Sequence, residues 1–358
     1  MRIGDDIIDR SAAEGVRVVA LALLADADAA AERLENGGDD EALHDFRVAL
    51  RRLRTGLRAF RPWLRESVAR KHERRLRKYA RATNAARDAE VHLAWLDSRK
   101  EALAAPRHGA GVAYLRAWIR AHTGDSGDDL VARYRKTSER ISRRLETARL
   151  RGAADDAPVP ISFAVAKAVL LRSQLHTVRE SMGAVRGALD QERVHAARIA
   201  VKRLRYIVEP LRGNRHADAS AAVKQLKRLQ DVLGELHDSH VIGHDVEEAL
   251  AYAEAHRARR IHAATYDPRE VAANPLRSSL AASPRPGLLA VTRLVRDQRE
   301  ALFADFERDW RSGGIEALTT EIRAIAEALE SRAGGQLVRS VGASQRSRPA
   351  EKRRRPSS

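Results

Sequence analysis

Apolar residues recur along most of the chain at spacings of three and four, in segments rich in Ala, Leu, Arg and Glu. No stretch sustains the apolar–polar alternation of a strand, so the pattern predicts an all-α fold. The periodic segments break at 36–40 (NGGDD), 104–111 (AAPRHGAG), 123–128 (TGDSGD) and 152–160 (GAADDAPVP). The last break is read as the boundary between two domains, 1–151 and 152–332. A run with four prolines, 266–287, predicts a loop that interrupts the second half. From 333 the text turns to Gly, Ser and Arg and ends KRRRPSS, which predicts a disordered basic tail over 333–358.

One phrase occurs twice. Residues 44–54 read HDFRVALRRLR and residues 195–205 read HAARIAVKRLR. At an offset of 151, His44, Arg47, Arg51, Arg52 and Arg54 align with His195, Arg198, Lys202, Arg203 and Arg205. At an offset of 150, Arg17 aligns with Lys167, and Arg74, Arg77 and Lys78 align with Lys224, Lys227 and Arg228. Asp88 meets Asp238 at the same offset. An internal repeat of this length predicts two halves built on one plan.

At about 100° per residue, His44, Arg47, Arg51, Arg54 and Arg58 form one stripe of the first helix. Phe46, Leu50, Leu53, Leu57 and Phe60 form a second stripe about a third of a turn away. The second copy sets His195, Arg198, Lys202 and Arg205 beside Ala197, Val201, Leu204, Val208 and Leu211. Burial of each apolar stripe holds its basic neighbour at the edge of a bundle core. The following segments add Arg70, Arg74, Arg77, Lys78 and Arg81 in the first half, and Lys224, Lys227 and Arg228 in the second.

Charge sharpens the picture. The net charge is +17, from 66 Lys and Arg against 49 Asp and Glu. Residues 44–81 hold 14 basic against 3 acidic residues, 195–228 hold 9 against 2, and the tail from 333 holds 7 against 1. Those three segments exceed the whole chain's net charge, so the remainder is mildly acidic. A solvated helix face intersperses opposite charges, whereas these stripes stack like charges at a cost of a few tenths of a kcal/mol per pair. Repulsion tolerated twice calls for a polyanion that relieves it.

With 358 residues and 44% hydrophobic content the chain can supply a core for each half. There are no cysteines, which excludes disulfides and thiolate metal sites and fits a reducing cytoplasm. The first apolar run follows Asp5, Asp6 and Asp9 and is interrupted by Arg17 and Asp26, so neither a signal peptide nor a membrane span is expected. Aromatic residues make up only 4%, few for stacking nucleic-acid bases.

The signature H-x-x-R-[VI]-A-[LV]-[RK]-R-L-R at 44–54 and 195–205, with AARDAEV (85–91) and ELHDSHV (235–241), resembles the CHAD family, the conserved histidine α-helical domains. The resemblance covers roughly residues 10 to 332. It implies two four-helix bundles related by a pseudo-twofold axis, with basic helices facing a shared cleft. It also implies non-catalytic binding of inorganic polyphosphate, at polyphosphate granules in the cytoplasm. Carried over residue by residue, the binding set is His44, Arg47, Arg51, Arg52 and Arg54 with His195, Arg198, Lys202, Arg203 and Arg205. Arg17, Arg74, Arg77 and Lys78 join it with Lys167, Lys224, Lys227 and Arg228. Arg grips two phosphate oxygens at once, Lys acts as a point charge, and His44 and His195 are expected to gain protons beside a polyanion. Some members carry a fused triphosphate-tunnel domain. This chain lacks its E-x-E-x-K motif, so that activity is not carried over, and no cofactor is expected.

Rival chemistry is weaker. His237, His240 and His244 in HDSHVIGH share a helix face, yet a straight helix rarely offers three ligands to one metal, and the first half has Arg87, Glu90 and Ala94 there. The pairs His44-Asp45 and His237-Asp238 evoke HD-type phosphohydrolases, but Ala196 replaces Asp45 in the second copy. Asp88 and Asp238 are expected to orient basic side chains by ion pairing. The alternative function is nonspecific nucleic-acid binding, which needs only backbone contacts and which the basic tail can provide.

Overall fold

A computed structural model describes residues 2–37, 41–64, 68–122, 130–147, 161–266 and 283–346. The helices are α1 (Asp5–Ile8), α2 (Ala12–Glu35), α3 (Ala42–Ala59), α4 (Arg61–Leu64), α5 (Arg70–Ala82), α6 (Asn84–Ser98) and α7 (Gly109–Ala121). They continue with α8 (Leu130–Thr147), α9 (Phe163–Ala184), α10 (Gln191–Val208), α11 (Ser220–Tyr266), α12 (Arg285–Phe306) and α13 (Gly314–Arg346). Among the described residues there is no strand, as the period predicts. None of these helices is long and apolar enough to cross a membrane. The breaks expected at 36–40, 123–128 and 152–160 and the loop expected at 266–287 lie wholly or partly outside the described residues. So does 347–358; α13 runs on to Arg346, and the tail expected from 333 is therefore helical in its first part. Gly334 and Gly335 weaken that helix without removing a hydrogen bond from it.

The halves meet through equivalent parts. Ser11 caps α2 in a capping box with Glu14, and its counterpart Ser162 caps α9 through the Val165 amide. The two serines form an antiparallel bridge, in which the Ala12 amide donates to the Ile161 carbonyl and the Phe163 amide to the Arg10 carbonyl, both at 2.8 Å. Further out α2 packs on α9, α3 on α10 and α7 on α12.

The predicted apolar stripes are buried as expected: Phe46, Leu50, Leu53, Leu57 and Phe60 on one side, and Ala197, Val201, Leu204, Val208 and Leu211 on the other. Together with Phe163, Leu226 and Leu329 they form one continuous core. A second core joins Leu96, Leu115 and Ile119 of the first half to Ile242, Val246, Leu288 and Val291 of the second. Both cores cross the 151/152 boundary, so the apolar interior does not divide into one private core per half. The halves approach closely at Gly111 and Gly287: a Cβ on Gly111 would lie 2.2 Å from the Pro284 carbonyl oxygen and 2.6 Å from the Gly287 Cα.

Candidate functional site

Because α3 and α10 pack against each other, their basic stripes adjoin. Arg51 lies close enough to Lys202 for the two charges to oppose each other, and these residues are repeat counterparts. Arg54 opposes Arg203 in the same way, and the α5 residues Arg77 and Arg81 bear on Arg54 as well. The reciprocal contact is made by Arg52 and Arg205, which share Glu209: Arg52 pairs with it at 3.0 Å and Arg205 at 3.6 Å. Their guanidinium groups also lie over the Tyr206 ring, at 5.9 and 4.8 Å from its centroid. Arg205 donates through Nε to Gln230 at 2.8 Å. The two rows therefore lie side by side where α3 packs on α10, with the charge of Arg51 felt at Lys202.

Helix α11 packs along the second-half row. The His195 and His237 rings lie with centroids 4.7 Å apart, and Arg198 stands 3.9 Å from Asp238, as expected for an orienting acid. Burial, then the positive charge of Arg198, pushes His237 down to about 3. Burial followed by Arg198, Arg51 and Arg205 pushes Lys202 down to about 7, with Asp238 opposing. His195 is lowered by burial and by Arg198 and Lys202. Accumulated positive charge in a partly dry setting thus disfavours further protons, and a bound anion would reverse that bias.

The remaining expected residues separate by exposure. His44, Arg74, Arg77, Lys78, Lys224, Lys227 and Arg228 are exposed, Arg17, Arg51, Arg54 and Arg198 are half-buried, and Arg47 is buried. Lys167 does not join the surface set. It is 1% exposed, with Nζ 5.5 Å from the Phe60 ring centroid, and burial pushes it down to about 7. The repeat alignment matched it to Arg17 by charge, but its place on α9 faces the shared core.

The histidine trio does not converge. His237 lies tilted against His195, His240 is buried, and His244 points out to Glu248 at 3.4 Å. Among the described residues no group of three His, Cys, Asp or Glu side chains is placed to hold a metal ion. Asp45 pairs with Arg33, and the side chain of Asp88 lies outside the described residues. Sequence reasoning missed Glu209, Tyr206 and Gln230, which carry no motif. The sequence singles out His237 as a metal candidate and as half of an HD pair, not as a neighbour of His195, although its place in the LHD phrase beside Asp238 is a usable signal.

Residues 19–247 match the family model for the CHAD domain. No curated protein matches the chain. Among solved structures, the crystal structure of the CHAD domain from the plant Ricinus communis aligns with a TM-score of 0.53 at 18% identity, over 90% of this chain and 94% of that one. At that identity the likeness speaks for the fold.

Proposed function

The chain belongs to the CHAD domain family, and from that premise we propose that it binds inorganic polyphosphate, without catalysis, along the joined basic rows of α3 and α10. The observation that carries this reading is the packing of α3 on α10, which brings Arg51 near enough to Lys202, and Arg203 near enough to Arg54, for like charges from opposite halves to repel. Such an arrangement costs free energy until an anion lies between its members. A polymer with one charge per phosphate can engage successive turns of both helices, spaced by roughly 5.4 Å. Arg47, Arg51, Arg54, Arg198 and Arg203 supply forked donors, and Lys202 a point charge. Arg74, Arg77, Lys78, Lys224, Lys227 and Arg228 extend the positive field along α5 and α11. Through this contact the protein is held at polyphosphate granules in the cytoplasm.

The test is binding of labelled long-chain polyphosphate by the full chain, titrated with salt. Affinity should fall linearly with log salt, with a slope that reports the phosphates neutralised. Arg51→Glu with Arg54→Glu should abolish binding while helical circular dichroism is kept. Unchanged affinity in that variant overturns the proposal.

A further inference from the structure

Past Leu250, α11 leaves the core. From Ala251 to Tyr266 every described side chain is exposed or half-buried. At about 100° per residue, Tyr252, His256, Arg259, His262 and Tyr266 share one face roughly 120° wide. Tyr252 is 52% exposed and Tyr266 85%. The rings lie in near-parallel pairs: Tyr252 with His256 at 6.3 Å and 14°, and His262 with Tyr266 at 6.3 Å and 11°. Helix α7 packs alongside and prolongs the series, since Trp118 lies 5.4 Å from Tyr252 and stacks on His122 at 4.0 Å. The low aromatic content of the whole chain conceals this local gathering.

Basic residues accompany the rings. Between Ala251 and Tyr266 stand Arg257, Arg259 and Arg260 against the single acid Glu254, and exposed Arg120 ends α7. Glu248, paired with His244, closes the face at its inner end. From His237 to Tyr252 is fifteen residues, about 22 Å along the helix, so this face is separate from the α3–α10 rows. A bare phosphate polymer offers rings nothing to stack on, and an acidic peptide would answer to the arginines alone. A strand in which flat bases accompany phosphates answers to both.

We propose that the outer face of α11 with the end of α7, carrying Trp118, Tyr252, His256, Arg259 and Tyr266, binds single-stranded nucleic acid. The rings take bases, and the guanidinium groups take the backbone. This does not rest on the polyphosphate reading.

The experiment compares two labelled probes on the full chain at physiological salt: an oligodeoxythymidylate, and an abasic oligomer with the same number of phosphates. The oligomer with bases should bind at least about tenfold more tightly. Tyr252→Leu with Tyr266→Ala should erase the difference; Leu keeps apolar contact with Trp118, and an unchanged thermal melt certifies the fold. Arg51→Glu with Arg54→Glu should preserve the difference. Equal binding of both probes by the unaltered chain overturns the proposal. So does a difference that survives in the tyrosine variant or disappears in the arginine one. A chain that ignores polyphosphate yet prefers the oligomer with bases refutes the earlier reading and leaves this one standing.

Discussion

Arg51 on α3 and Lys202 on α10 are the same position of the repeat, and the packing of the two helices brings their charges near enough to repel, with the lysine 8% exposed. Burial comes first, and then three guanidinium groups, in holding Lys202 near a pKa of about 7. Of the two, Lys202 is the member that titrates near neutral pH.

Polyphosphate affinity should accordingly fall as pH rises above 7. Free Lys202 is about half protonated there, while an adjacent phosphate favours the ammonium form and raises its pKa in the complex. Binding then takes up a proton, and the loss approaches about tenfold per pH unit at most. Lys202→Arg should keep tight binding and flatten the profile from pH 7 to 9. A flat profile in the unaltered chain would place Lys202 away from the anion. His195, lowered in the free protein by burial and by Arg198 and Lys202, should add a weaker dependence of the same sign on the acid side of the ordinary histidine range.

Lys167 should govern stability instead. Its pKa falls from 10.5 unfolded to about 7 folded, through burial alone. Between those values the unfolded chain binds more protons, so this group makes stability rise with pH from about 7 and level off near 10.5. Lys167→Met, similar in volume, should stabilise the fold by the order of 3 kcal/mol at pH 6. Urea melts at pH 6 and pH 9 check it: the advantage of the variant should shrink at the higher pH.

Glu209 is the acid that Arg52 and Arg205 share, and it competes with any anion for them. Glu209→Gln should tighten polyphosphate binding about threefold and steepen the salt dependence, because two guanidinium groups are released toward solvent. Weaker binding would mean instead that Glu209 holds both arginines in their working positions. Fluorescence polarisation across a salt series separates the outcomes.

Gly111→Ala should lower the melting temperature with little change in polyphosphate affinity. The added methyl would meet backbone atoms of Pro284 and Gly287, which cannot rotate aside, at a cost of about 1–3 kcal/mol. Thermal denaturation measures this.

Helix positions and buried faces were readable because the period of apolar residues is a local property. The stripe Phe46, Leu50, Leu53, Leu57 and Phe60 needs only a helix and a core to be buried. Charge was readable as an amount and less so as a place. Arg17 and Lys167 align, yet one is half-buried and the other 1% exposed, since the two halves of a repeat face different neighbours. Glu209, Tyr206 and Gln230 reach the basic rows across turns and helices that no linear spacing records.

The chain's own text settles that it is helical and that its positive charge sits on two stripes and a tail, because these follow from neighbours a few residues apart; that it says one thing twice is legible by aligning the text with itself. Packing in three dimensions settles the rest: that the charge of Arg51 is felt at Lys202, that Lys167 is dry, and that both cores are held in common. Those relations join residues more than a hundred positions apart, and their energies come from desolvation and Coulomb fields that exist only once the helices have met.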